Sequence, residues 1–269
     1  MHLKISALFL LISVLLFIAC ASSPPAPSPS ISDDNQVQQF FSTVPSGDGL
    51  VFIGTAGRRL NPDETLQLAL TDAAQRVAMF HQVSGEYILE NTIGSGFLDW
   101  THDVRAVLFF DVEGSVRFLD SLQYDIDKDT MLFENAFFVR TFVPMTLPSR
   151  VDFRPRNKNE TGRPDWINNI PEIDGYETGV GFSSRRASMA ETFNNSRNNA
   201  IFSIIKNISA TAQSSGIQYH RSDSIFAYDA ITENSIHAHG TLNSFYVLDT
   251  WIDRRTLQVW TLAIAEKTQ

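Results

Sequence analysis

Apolar positions recur at helical spacing in two long stretches of the chain. Over 62–82 they are Leu66, Ala69, Leu70, Ala73, Val77 and Phe80, the single stripe of an amphipathic helix. Asn61 suits the N-cap, Pro62 the first helical position where a missing N–H costs nothing, and Glu64 the third. Gly85 is the expected stop. Over about 189–213 the stripe is Phe193, Ala200, Ile201, Ile204, Ile205 and Ile208, opened by a Ser188…Glu191 capping box and closed by Gly216. Elsewhere the period falls to two. Residues 104–145 read as strands around the charged turn Asp125–Asp129, and 235–267 as strands around Asp253–Thr256. In the last of these Val247, Asp249 and Trp251 alternate with Leu248, Thr250 and Ile252.

The two helices also align with each other. Setting Ala73 on Ala200 brings Val77 onto Ile204, Ala69 onto Ser196, and Arg58-Arg59 onto Arg185-Arg186. The glycine turns Gly54-x-Ala56 and Gly179-x-Gly181 then match with a two-residue shift, and Asp48-Gly49 and Asp174-Gly175 precede them. The expectation is an α+β protein of two tandem related domains. Each would be a strand, one long helix packed on a sheet, and an antiparallel meander. The boundaries fall at 47–147 and 164–269, with a Pro- and Arg-rich connector over 148–163.

The N-terminus changes the picture of where such a body resides. Lys4 precedes about fifteen uncharged residues, the length of a secretory h-region and short for a spanning helix. The run ends in Phe17-Ile18-Ala19-Cys20, which resembles the lipobox of bacterial lipoproteins. That resemblance implies a signal peptide over 1–19 and a diacylglycerol thioether with acylated (palmitate-type) amine at Cys20. Cys20 is the single cysteine of the chain, so neither a disulfide framework nor a Cys-based zinc site is open to it. Prolines and serines crowd the residues that follow, giving an extended tether over 20–46. The chain has 21 Lys plus Arg against 30 Asp plus Glu, and loss of Lys4 takes the balance from −9 to −10. That charge argues against nucleic acid as a partner.

The second half carries a further likeness. Pro164-Asp165-Trp166-Ile167, then Gly179-Val180-Gly181, a helix with small residues at Ser196 and Ala200, and "VLDTWIDRRTLQVWTLA" stand in an order that resembles the lipoprotein-twenty family of small bacterial membrane-associated lipoproteins. The related N-terminal domain of a flagellar assembly protein shares it. The likeness spans 164–265, and 47–147 is a weaker copy without the Pro-Asp-Trp opening. It implies attachment to the cell envelope, at the outer membrane on its periplasmic face or surface, with an envelope protein as partner. No catalytic residue comes with it.

Candidate chemistry is sparse. Neither glycine turn has the third glycine of a dinucleotide fingerprint or the Gly-Lys-Ser/Thr of a P-loop. Arg58, Arg59, Arg185 and Arg186 stand beside helix starts, where an anion could be held. His237 and His239 share a strand face, yet His220 and Asp223 are their nearest companions in sequence, and solvated histidines fit better than zinc. Asp125, Asp127 and Asp129 open like a calcium loop, but Thr130 and Ala136 occupy the positions of its glycine and closing acid. The expectation is a non-enzymatic, lipid-anchored binding or scaffolding module with no cofactor and no metal. The alternative is a receptor for a small anionic or lipidic ligand held between the repeats.

Overall fold

This computed structural model describes residues 34–45, 49–93, 100–154, 162–214 and 232–267. Cys20, Asp48, Gly216, His220 and Asp223 lie outside them, as do the side chains of His102 and His237. The elements are α1 (Asp34–Phe40), β1 (Leu50–Gly57), α2 (Pro62–His81), β2 (Val83–Ile93), β3 (Trp100–Phe109), β4 (Thr130–Phe133) and β5 (Ala136–Val143). After the connector come β6 (Tyr176–Ser183), α3 (Met189–Ser214), β7 (Thr232–Leu242), β8 (Tyr246–Asp253) and β9 (Gln258–Glu266). The architecture is mixed α+β, with three antiparallel three-stranded sheets ordered β1-β5-β4, β3-β2-β7 and β6-β9-β8.

Each long helix lies on one of the outer sheets, and its start is built from the residues that the sequence marks. The Asn61 side chain accepts from Asp63 N–H at 3.0 Å, and the Ser188 hydroxyl from Glu191 N–H at 3.1 Å. One turn on, Thr65 Oγ accepts from Arg59 N–H and Thr192 Oγ from Arg186 N–H, each at 3.0 Å. Both threonine hydroxyls also donate to the carbonyl of their own N-cap residue. The expected stop at Gly85 is not used. Gln82 is already extended, and β2 begins at the fully buried Val83. Gly85 sits inside β2 instead, where a Cβ would meet Ile205 of α3 at 2.6 Å.

Neither glycine motif is a turn. Gly54 lies in β1 opposite Val139, and Gly179 and Gly181 lie in β6 opposite Ala263 and Thr261. A Cβ on Gly54 would strike Ala69 O and come within 2.8 Å of Ala73 N. One on Gly181 would strike Ser196 O and Ala200 N. Each strand therefore lets a helix backbone settle directly onto it, which no other residue allows at those points. Gly54 and Gly181 occupy the same relation to their helices, so the glycines match without the two-residue shift.

Two stretches depart from the expected strands. After β3 the chain forms a 3-10 helix, Gly114–Ser121, because Asp111 Oδ1 accepts from Gly114 N–H at 2.7 Å and Ser115 Oγ donates to Val112 O at 2.6 Å. Phe118 of this helix stacks on His81 at the end of α2, ring centres 5.1 Å apart. The acids Asp125–Asp129 form a turn ahead of β4 rather than a hairpin tip. The β4–β5 hairpin turns at Glu134-Asn135, with Glu134 in the left-handed region at φ 53°.

The body is not two closed units in series. Strands β2 and β7, from either side of the connector, pair over their whole length in the middle sheet. One buried cluster joins Leu50, Phe52, Ala73 and Phe80 to Trp166, Tyr176, Leu248 and Leu262, and a second joins Met79 and Val83 to Ile201 and Ile204. The expected tether also ends early. Val37, Phe40 and Phe41 are apolar and buried, so α1 already belongs to the folded body. Phe41 packs between Phe138 of β5 and Phe193 of α3, centroids 5.0 and 4.6 Å away. Beside it, Thr43 N–H donates to Leu248 O, and Thr250 N–H to Phe41 O.

Gly181→Ala is expected to destabilise the protein by roughly 3 kcal/mol or more, because the new methyl presses on backbone that has no rotamer to change. Gly57→Ala, whose methyl meets nothing within 4 Å, should change stability by less than about 0.5 kcal/mol. Urea melts of the pair check this. Ala73→Arg or Ala200→Arg, at fully buried helix positions, should abolish cooperative unfolding in the same assay.

Candidate ligand site

The arginine pairs singled out from sequence stay on the surface. Arg58, Arg59, Arg185 and Arg186 are all exposed. The backbone of three of them carries structural work: Arg58 N–H donates to Asn135 O at 3.1 Å, Arg59 N–H to the Thr65 hydroxyl and Arg186 N–H to the Thr192 hydroxyl. Asn135, at the β4–β5 tip, also accepts from Met189 N–H and donates to Ala187 O, and so caps α3 from across the connector. Arg185 and Arg186 line a cleft of about 280 Å³ together with Glu134, Asn135 and Leu257; Arg58 and Arg59 do not. The four cations are therefore not gathered around one cleft.

Charge that the sequence reading passed over is buried where α2 meets α3. Asp72 on α2 accepts from Arg76 Nη2 at 2.5 Å, from Arg197 Nη1 of α3 at 3.3 Å, and from Thr55 N–H of β1 at 2.9 Å. Arg76 Nη2 also donates to Asn194 Oδ1 of α3 at 3.0 Å, and Arg76 Nη1 lies 3.3 Å from Met79 Sδ. Arg197 is 4% exposed and Asp72 8%. Burial alone pushes the Asp72 carboxyl up. The charges of Arg76 and Arg197 and the bonds from Arg76 and Thr55 outweigh that and hold it below the ordinary carboxylate value. For Arg197, burial and the like charge of Arg76 prevail over Asp72, and its guanidinium is brought down to about 10. Three groups thus carry one negative and two positive charges.

Arg76 and Arg197 border a cavity. Its walls come from Val51, Phe52 and Ile53 of β1, Phe193 of α3, and Phe245, Tyr246 and Val247 at the start of β8, so both sides of the connector contribute. The void, mouth included, is about 450 Å³, of which about 30 Å³ admits the centres of water-sized groups. Most of the surface is apolar. Tyr246 fixes one wall: its hydroxyl accepts from Val51 N–H at 3.1 Å and donates to Thr43 O. Burial pushes that phenol well above its ordinary value, so it remains a donor at neutral pH. On the opposite flank of β8, Trp166 of the Pro-Asp-Trp motif donates from Nε1 to the buried Asp249 Oδ2 at 3.0 Å. The Pro164–Ile167 turn and β8 are thereby joined in space.

The remaining candidates stay apart. Among the described residues no three His, Cys, Asp or Glu side chains gather as metal ligands. His239 is exposed. Asp125 pairs with Lys128 at 2.8 Å and accepts from Asp127 N–H, while Asp129 accepts from Asp125 N–H. The carboxylates of Asp125 and Asp129 are spent on their own turn. The signal for the cavity was present in the pattern: Arg197 stands four residues from both Phe193 and Ile201, on the apolar stripe of α3.

Removing the shared acid leaves the buried Arg197 and the half-buried Arg76 without a counter-charge, so Asp72→Ala is expected to cost about 3–5 kcal/mol. The acid limb gives a second readout. A carboxyl whose folded value is lowered stabilises the fold above about pH 4, its unfolded value, and that contribution fades as pH falls towards the lower folded value. Wild type should therefore lose more stability than Asp72→Asn between pH 5 and pH 2.5. Parallel acid limbs in chemical melts would contradict it.

No family model, curated protein or solved structure matches this chain.

Proposed function

We propose that this chain is a lipid-anchored lipoprotein of a bacterial cell envelope whose folded body is a non-enzymatic binding or scaffolding module. The body is read as two related α+β repeats, fused edge to edge, on a tether that starts at an acylated Cys20. The observation that carries the reading is the reuse of one strand–helix unit. Thr65 and Thr192 close their helix starts with the same two bonds, and Gly54 and Gly181 seat their helices at the same two helix positions. Further support comes from the like orders β1-β5-β4 and β6-β9-β8 and from the lipobox before Cys20. Fusion of two such units makes a rigid platform with a seam, and acylation would hold it at a membrane without a spanning helix. Among the described residues no helix is long and apolar enough to cross one.

A second reading is a receptor for a small anionic or lipidic ligand held between the halves. The cavity bordered by Arg76 and Arg197 favours it, with those buried arginines as contacts in place of Arg58, Arg59, Arg185 and Arg186.

The anchor is tested by expressing wild type and Cys20→Ser in a bacterial host and fractionating the cells. Wild type is expected in the membrane pellet, with an N-terminal peptide heavier by its acyl groups. The variant should move to the soluble fraction or retain an unprocessed signal. Wild type that is soluble and unacylated overturns the reading.

A further inference from the structure

One edge of the middle sheet is open among the described residues. β3 pairs with β2 over ten consecutive positions without a bulge, and no described segment pairs with its other side. The outer strands of the third sheet are treated differently. Residues 41–43 bond along β8, and Asn199 of α3 donates to Phe182 O of β6 at 2.7 Å. An open strand edge is a template for another strand, and folds blunt it with proline, a bulge, a short strand or a row of charge. Trp100–Phe109 has neither proline nor bulge, and from Val104 onward it carries one charge, Arg105.

The side chains on this edge are also out of keeping with their surroundings. Gly85 and Gly240 face Ile205 of α3, so the opposite face of the sheet is the outer one. Its rows run Val107, Glu86, His239 and Phe109, Ser84, Thr241. Glu86, His239 and Thr241 are exposed and polar, as a solvated sheet face requires. The edge strand alone breaks the pattern, with Val107 47% and Phe109 56% exposed. A bilayer does not fit this edge, because lipid leaves strand amides unpaired and Glu86 adjoins Val107. Another strand fits both the amides and the apolar side chains.

We propose that two copies of this chain join through β3, antiparallel about a two-fold axis at Val107, so that their middle sheets continue as one. Residues paired in this way share a face. The axis sets Val107 on Val107 of the copy, Ala106 on Leu108, and Arg105 on Phe109, whose ring a guanidinium covers favourably. Asp111, exposed and next on the same side of the chain, then lies diagonally across from Arg105 of the copy, within reach of so long a side chain. Charge is thus complementary across the axis. Moving the axis to Arg105 would set two arginines face to face, which is unfavourable. The proposal stands independently of the ligand reading.

The test is sedimentation equilibrium of the full chain in density-matched non-ionic detergent at tens of micromolar. Wild type is expected to sediment as a dimer. Val107→Lys brings like charges together on the axis and should raise the dimer dissociation constant about a hundredfold; Phe109→Lys should act in the same direction. Both positions are exposed, and urea melts of the variants confirm that they fold. Leu60→Lys, at a fully exposed apolar residue before α2, should leave the dimer intact. Val107→Cys should be joined to its copy by a short bismaleimide, with wild type as background and Leu60→Cys uncrosslinked. A monomeric wild type, a dimer that survives Val107→Lys, or one that Leu60→Lys dissociates equally overturns the proposal. Failure of Val107→Cys to crosslink overturns the axis. A monomer whose Cys20→Ser form binds phosphatidylglycerol vesicles, and loses that binding with Val107→Lys, gives the surface to lipid and overturns the proposal as well.

Discussion

The Asp72 carboxylate is the centre of the polar contact between the two long helices, with the Arg76–Asn194 bond beside it. It lies on α2, takes its backbone donor from β1, and reaches Arg197 on α3, so three elements converge on two oxygen atoms. A buried ion pair of this kind is weak as a source of stability, because desolvation consumes most of the attraction. Its effect is on geometry. Leu or Phe at these positions would let α2 and α3 slide past one another, whereas a bidentate carboxylate admits one arrangement. The middle sheet, with β2 and β7 paired throughout, fixes the same relation from the other side.

Much of the scaffold was legible in the sequence. The stripe Leu66–Phe80, the Asn61-Pro62 start and the Ser188 cap specify α2 and α3 almost to the residue, because helix starts are governed by local bonds. The strands around Asp253–Thr256 were legible too, since β8 and β9 alternate. What failed was of two kinds. Gly54 and Gly181 read as turns because a missing side chain looks the same in a bend and under a helix backbone; only the partner across space separates the cases. Residues 110–121 read as strand because Val116, Phe118 and Leu119 are apolar, while the short Asp111–Ser115 bonds that coil them are invisible to periodicity.

The cavity was harder. Asp72 and Arg76 look like an ordinary exposed i, i+4 pair, and such pairs stabilise solvated helices in most chains. Arg197 was the stronger clue, a charge on an apolar stripe, but it gains meaning only beside a carboxylate 125 positions away. The exposed Arg58, Arg59, Arg185 and Arg186 drew attention by being repeated. Of the four, Arg59 and Arg186 donate backbone N–H to Thr65 and Thr192, bonds that need an amide at each position and place no demand on the side chain.

The wedge formed by Phe41 has a mechanical consequence. Just after α1, the first deeply buried ring of the described body is clamped by β5 on one side and α3 on the other. The same segment is tied to the edge of β8, through the Ser42–Asp249 bridge and the backbone bonds of Thr43 and Phe41. Phe41 thus pins the start of the described body to β5 and α3 together, so loss of that one ring would loosen both contacts.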